Sequence, residues 1–201
     1  SESEGVKSSV ANGILLSLIF TVVLSALSML SMHTLLKLMN TPDNIFQDAY
    51  TYIMIISAGL GATIFYNLFS SYLRAVGNSK IPLVFLVFSA ALNVILDLVL
   101  IINVKMGVAG AAYATVISQG VSAILCLIYI YIRIPSLAPN RRHWKLHGQE
   151  SRNQLAVGIP MALQFAITAS GTMIMQAAIN LFGSDAYKNT PGYRFQELFA
   201  Q

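Results

Sequence analysis

The chain has 201 residues, of which 56% are hydrophobic and 10% charged, and its formal net charge is +4. A soluble domain carries about 25% charged residues, so this composition excludes an ordinary water-soluble fold and describes a membrane protein. The basic excess is no nucleic-acid signal, because the Lys and Arg gather in short segments between apolar runs, and the single cysteine rules out an intrachain disulfide.

Five apolar stretches are long enough to cross a bilayer, which takes about 20 helical residues. They cover residues 10–36, 49–73, 81–104, 108–132 and 155–182. The first is too long for the core of a signal peptide and lacks a clear small-residue cleavage site. It carries Ser17, Thr21, Ser25 and Ser28 at helical spacing, with His33 near its end as a snorkelling or interfacial residue. A turn at Asn40-Thr41-Pro42-Asp43 leads into the second stretch, which has Gly59, Thr63, Asn67 and Ser70 in a stripe and Tyr52 and Tyr66 nearby.

Gly77-Asn78 marks the next turn, followed by Pro82 at the start of the third stretch. Asp97 is the only formal charge in this run, and Asn93 precedes it by one helical turn. A carboxylate near the middle of a spanning helix costs about 2.5–3.5 kcal/mol on insertion scales, so it is expected to face a bundle interior or a watery cavity. The spacing puts both side chains on one helix face, where the amide is expected to hydrogen-bond the carboxyl. Such a pair reads either as a functional site or as a polar clamp between helices. The rarity and cost of intramembrane carboxylates favour the first.

The fourth stretch shows Ala111, Thr115, Ser118, Gln119 and Ser122 on one side, and Cys126 as a packed or lipid-facing thiol. Pro135 and Pro139 stop it. Residues 135–154 form the one substantial loop. Its His143-Trp144-Lys145-Leu146-His147 holds an i,i+4 histidine pair, but with arginines, a lysine and a tryptophan beside it and no third ligand, an anchor at the headgroups is the expected role rather than a metal site. The fifth stretch, with Pro160 near its start, repeats polar residues every fourth position: Gln164, Thr168, Thr172, Gln176 and Asn180. Several bulky amides on one helix exceed what close packing needs. These positions, together with Met161 and Met173, are expected to line a solvated substrate cavity.

If the spans alternate, Lys7, Arg74, Lys80, Arg133, Arg141, Arg142, Lys145 and Arg152 fall on one side, against Lys37 and Lys105 plus Lys188 and Arg194 on the other. That bias predicts a cytoplasmic N-terminus and an external C-terminus in the cell membrane. No nucleophile–base arrangement, glycine-rich phosphate loop or metal cluster points to an enzyme, and no cofactor is expected.

The stretch Leu73-Arg74-Ala75-Val76-Gly77-Asn78-Ser79-Lys80-Ile81-Pro82, followed by Ala91-Leu92-Asn93, Leu96-Asp97 and Gly107-Val108-Ala109-Gly110-Ala111-Ala112-Tyr113-Ala114-Thr115, resembles the multidrug and toxic compound extrusion (MATE) family. Gly158-Ile159-Pro160-Met161 resembles the start of that family's seventh helix. The resemblance, over roughly residues 5 to 185, implies an all-α polytopic bundle whose five spans are helices three to seven of a twelve-helix, two-lobe transporter. Residues 1–134 would then be four helices of the first lobe, 135–154 a cytoplasmic basic loop between lobes, and 155–183 the first helix of the second lobe. Residues 184–201 would be an atypical polar tail. The implied activity is efflux of cationic or amphipathic compounds by exchange for H⁺ or Na⁺. Asn93 and Asp97 match the family's coupling cluster, Thr115 the sixth-helix position facing it, and Tyr52 the fourth-helix tyrosine.

Two departures stand out. Gln164 and Thr168 occupy the region where some members carry an acidic residue in the seventh helix, so a second-lobe sodium site of that type is not expected. The polar tail, the start at Ser1 and the odd number of spans lead to the expectation of an incomplete copy whose partners are the lipid bilayer and the missing helices of its own fold. A lipid-linked oligosaccharide flippase of the same superfamily is the related alternative, disfavoured because no Arg or Lys lies mid-helix. A non-transporting membrane fragment is the alternative from another class.

Overall fold

The computed structural model describes the backbone of residues 2–38 and 43–188, and the side chains of residues 4–37, 43–168, 170 and 171. Every described segment of regular structure is helical: α1 (Glu2–Leu38), α2 (Asp43–Ala58), α3 (Leu60–Ala75), α4 (Lys80–Asp97), a π-helical segment (Leu98–Asn103), α5 (Val108–Arg133), a 3₁₀ turn (Arg141–His143) and α6 (Gly148–Lys188). The expected turn at residues 40–42 and the tail beyond Lys188 lie outside the described residues. Two compact units divide between Ser151 and Arg152.

Among the described residues, three helices are long and apolar enough to cross a bilayer: Glu4–Lys37, Lys80–Asn103 and Val108–Arg133. The pair α2 and α3 passes the same test jointly but is bent by 44° at Gly59. The chain is a multi-pass membrane protein. Many Leu, Ile, Val and Phe on α1, α4 and α5 point outward, as suits helices whose solvent is lipid.

The sequence predicts an unbroken second span, and the structure breaks it for a packing reason. A Cβ on Gly59 would run into the Val116 side chain of α5. Only glycine lets the backbones approach that closely, and the tight Gly59 turn, where the Ala62 N–H donates to the Gly59 carbonyl at 3.0 Å, takes up the bend.

In the first unit α5 is the central helix. It packs against α2, α3 and α4, and 28% of its apolar window is buried, against 6% for α1 and for the α4 span. Its run of Gly, Ala and Ser residues permits that close approach. The turn into α4 is built as the sequence predicts. Gly77 adopts φ +82°, the Asn78 N–H donates to the Leu73 carbonyl at 2.9 Å, and Asn78 Oδ1 accepts the Ile81 N–H at 3.3 Å. A buried cluster of Val10, Tyr66, Phe69, Leu73, Cys126, Ile130 and Leu137 closes this end of the bundle, so Cys126 is a packed thiol.

Two sequence expectations need correction here. On α3 the buried face is Tyr66, Phe69, Ser70 and Leu73, while Thr63 and Asn67 are exposed. The buried stripe follows the aromatic residues, which bring more apolar area than the small polar ones. Pro160 is not at a helix start, because α6 begins at Gly148 and carries it in its interior. The 148–154 segment continues the helix inward from the loop, leaving the Ala156 carbonyl without its helical donor.

Candidate functional site

Helices α4 and α5 run antiparallel, and two polar contacts fix their register. Ser122 Oγ donates to the Phe85 carbonyl at 3.0 Å, and Asn78 Nδ2 donates to Tyr129 Oη at 3.2 Å. Phe85 and Tyr129 meet edge to face at 6.3 Å. Followed along the two helices, this register sets Asn93 level with Ala114 and Thr115, and Asp97 level with Gly110 and Ala111. Thr115 therefore lies across from Asn93 on the facing helix.

Asp97 ends the α-helical part of its span, and the π-helical segment begins at the next residue. There the Val104 N–H donates to the Val99 carbonyl at 3.0 Å, an i→i+5 bond. Such widened turns cost regular hydrogen bonding and recur at functional sites. The sequence predicts a helix through residue 104 and gives no sign of the change in pitch, since the segment Leu-Val-Leu-Ile-Ile-Asn is apolar throughout.

The expected hydrogen bond between Asn93 and Asp97 is not formed. Asn93 Nδ2 and Asp97 Oδ1 are both buried without a hydrogen-bond partner, and so is Gln119 Oε1 on α5. Side chains one turn apart lean the same way along a helix, and Asn and Asp are too short to turn toward each other. Each unpaired buried atom costs roughly 1–3 kcal/mol. A polar clamp would pair them, and the clamping is done elsewhere, by Ser122 on Phe85 and by Tyr66 Oη donating to the Pro82 carbonyl at 3.0 Å.

Thr115 Oγ1 donates to its own helix, to the Ala111 carbonyl at 3.0 Å, which leaves its lone pairs free to accept. Tyr52 is 36% exposed on α2. Helices α2 and α4 do not pack on each other, because α5 lies between them. The register puts Asn93, Asp97 and Thr115 at the α4–α5 interface, while Tyr52 stands on α2, which packs on α5 and not on α4. Gln119, one turn beyond Thr115 on α5, lies level with Phe88 in this register, eight residues or about 12 Å along the helix from Ala111, the level of Asp97.

The residues expected to line a substrate cavity belong to the second unit. Met161, Gln164 and Thr168 are exposed, and Thr168 Oγ1 donates to the Gln164 carbonyl at 2.9 Å. The side chains of Thr172, Met173 and Gln176 lie outside the described residues. In the first unit, a separate hollow of about 400 Å³ between α1, α3 and α5 is lined by Ile14, Phe65, Phe69, Ile124 and other apolar residues, with none of the site residues among them.

The histidine pair of the loop does not converge. Each histidine turns to α1, where Glu4, Ser8 and Asn12 stand one turn apart. His143 Nε2 is 2.8 Å from Glu4 Oε2, His147 Nδ1 is 3.4 Å from Ser8 Oγ, and the His147 N–H donates to Asn12 Oδ1 at 3.0 Å. His143 is buried, so it pins the loop and is no headgroup anchor itself. No group of three potential metal ligands occurs among the described residues. His33 packs its ring edge to face against Phe46 at 5.6 Å and Tyr50 at 6.2 Å, which makes it an α1–α2 contact.

Comparison with known proteins shows what this chain is similar to. The family model described as MatE matches residues 2–99. The chain is 36% identical over 151 residues to the probable multidrug resistance protein YpnP of Bacillus subtilis (strain 168), covering 74% of this chain and 33% of that protein. It is 27% identical over 190 residues to the probable multidrug resistance protein YoeA of the same organism, covering 91% of this chain and 41% of that one. Among solved structures, an inward-facing multidrug resistance MATE family transporter of the MOP superfamily aligns with a TM-score of 0.67 at 23% identity, over 79% of this chain and 40% of that one. This last likeness establishes the fold. The chain spans about a third of the length of the first of these two curated relatives and about two-fifths of the second.

Proposed function

Since the chain belongs to the MATE family, we propose that it forms the ion-coupling part of a secondary transporter that exports cationic or amphipathic compounds in exchange for H⁺ or Na⁺. The observation that carries this reading is the unpaired Asp97 carboxylate oxygen, buried at an α-to-π junction one turn from an unpaired Asn93 amide. Asp97, Asn93 and Thr115 offer a carboxylate, an amide oxygen and a hydroxyl, all hard donors that suit a proton or a sodium ion and no soft metal.

Coupling needs only that the site around Asp97 meet a cation differently in two states of the transporter. A cation that binds the two states unequally shifts the equilibrium between them by that difference in affinity. Entry from outside then favours release of the exported compound, and release of the cation inside resets the cycle. The π-helical segment next to Asp97 is the part of α4's span with the least regular bonding, and so the natural place for the two states to differ.

The rest of the machine is part of the proposal. Alternating access rocks one lobe against another, so these helices are expected to work joined to the remaining length that the relatives have. The basic bias sets the N-terminus in the cytoplasm, and the pinning of the 135–147 loop to the start of α1 supports it by keeping Lys7, Arg141, Arg142 and Lys145 at one end of the bundle. The test is dye efflux from vesicles carrying the complete transporter, driven in turn by a proton and a sodium gradient. Asp97→Asn should abolish gradient-driven efflux at unchanged expression. Retained coupling in that variant would refute the assignment, and the gradient that drives the unaltered protein identifies the ion.

A further inference from the structure

The loop after α5 is held in one shape. The Asn140 N–H donates to His143 Nδ1 at 3.0 Å, the His143 N–H returns to the Asn140 carbonyl at 2.9 Å, and the Lys145 N–H donates to the His143 carbonyl at 2.8 Å. With Nδ1 accepting, the ring proton sits on Nε2 and is donated to Glu4. Asn12, fully buried, accepts the His147 N–H and also the Ser151 hydroxyl at 3.1 Å. The side chains that do not point at α1 are Arg141, Arg142, Trp144, Lys145 and Leu146. All are exposed, Trp144 by 41% and Leu146 by 53%.

The depth of this surface follows from α1. Its Glu4–Lys37 stretch has 34 residues. At about 1.5 Å per residue it is roughly 50 Å long, against a hydrocarbon core of about 30 Å. The first turns of α1, with Glu4 and Ser8, therefore stand in the headgroup layer, and the loop pinned to them lies there too. Of the described carboxylates near the loop, Glu4 is already engaged by His143, and Glu150 has its Oε2 buried rather than turned out to the basic side chains.

We propose that this preshaped surface binds the headgroups of anionic phospholipids: Arg141, Arg142 and Lys145 engage the phosphates while Trp144 and Leu146 insert at the headgroup–acyl boundary. Basic side chains give the sign of the partner, and an exposed Trp and Leu beside them give its amphipathic character. A soluble anion would satisfy the charges and leave the two apolar side chains in water. The Glu4–His143 and Asn12–His147 contacts position the surface without touching lipid. This inference stands apart from the transport reading.

The chain has a single tryptophan, so Trp144 reports on this site alone. The full chain is reconstituted in vesicles of about three parts phosphatidylcholine to one part phosphatidylglycerol, with bromine on the acyl chains of either one lipid or the other. Brominated phosphatidylglycerol should quench Trp144 more than its share of the bilayer predicts: the roughly fivefold preference over phosphatidylcholine expected if one basic side chain contributes fully raises its local share from about a quarter to about 60%. The preference should vanish in the Arg141→Gln, Arg142→Gln, Lys145→Gln variant. It should also vanish for the unaltered chain in about 1 M salt, where the Debye length falls to about 3 Å. That salt arm keeps the test decisive if the variant misfolds. Quenching in proportion to composition, a preference that survives salt, or no quenching by either lipid would overturn the proposal.

Discussion

Ser122 on α5 donates its hydroxyl to the Phe85 carbonyl of α4 at 3.0 Å, and this bond, more than the intramembrane polar pair, ties the two helices that carry the candidate site. Ser122 is fully buried. Its loss should cost the ~0.6 kcal/mol typical of interhelical hydrogen bonds in membranes, up to ~1.5 kcal/mol. Ser122→Ala is therefore expected to lower the thermal unfolding midpoint in detergent slightly, and Ser122→Leu considerably more, because a large side chain pries α4 from α5. Equal midpoints for the two variants would mean that this contact does not set the register.

The bend of the second span makes a sharper case. A Cβ at position 59 meets Val116, so Gly59→Ala should cost about 1–3 kcal/mol from overpacking. Val116→Ala removes the opposing methyl groups and should recover much of that loss in the double variant, a coupling that a mutant cycle measures directly. Additive effects would place the cost of Gly59→Ala in local helix geometry instead.

The pattern of apolar runs carried most of the fold, because a bilayer imposes a length and a polarity that composition records without ambiguity. Asp97 and Asn93 were legible for the same reason: a charge in a lipid-spanning segment stands out. What happens around them was not legible. The π-helical turn after Asp97 lies in a segment of Leu, Val and Ile with no breaker, and the break at Gly59 depends on Val116, a residue far away in sequence. The histidines of the loop were misread in role because their partners, Glu4 and Asn12, lie on the first helix, 139 and 135 residues away. Gln119 looked like one member of a stripe until its carbonyl oxygen proved to be buried and unpaired.

The contact between His143 and Glu4 should respond to acid. The hydrogen bond from His143 holds the exposed Glu4 carboxyl below the usual carboxylate range, opposed by partial desolvation and assisted by the nearby charge of Lys7. A carboxyl whose pKa is lowered by folding contributes stability above its unfolded value and loses it as pH falls through the folded one. The loop should thus be held fully at neutral pH and loosen only as pH falls below the ordinary glutamate range. Trp144 emission, one residue from His143, reads the opening. Glu4→Gln should remove the acid step, and an unchanged titration in that variant would assign the step to another group.

Gln119 separates a working site from a buried imperfection. Its Oε1 is an unpaired acceptor inside the bundle, so Gln119→Leu removes a desolvation penalty and should leave stability unchanged or raise it by about 1 kcal/mol. If Gln119 serves only as packing, transport in the complete protein follows stability and is kept or improved. If it lines the path by which the cation reaches Asp97, about 12 Å away along α5, the same variant becomes more stable and transports less. We expect the second outcome: a several-fold fall in gradient-driven efflux beside an unfolding midpoint at or above that of the unaltered protein. The opposite movement of the two readouts is what a structural role cannot produce, since a residue kept for stability alone would lose both together or neither. Asn93→Leu should behave alike, because its amide nitrogen is also buried and unpaired. Asp97→Asn should abolish coupling altogether by removing the charge that the cation answers.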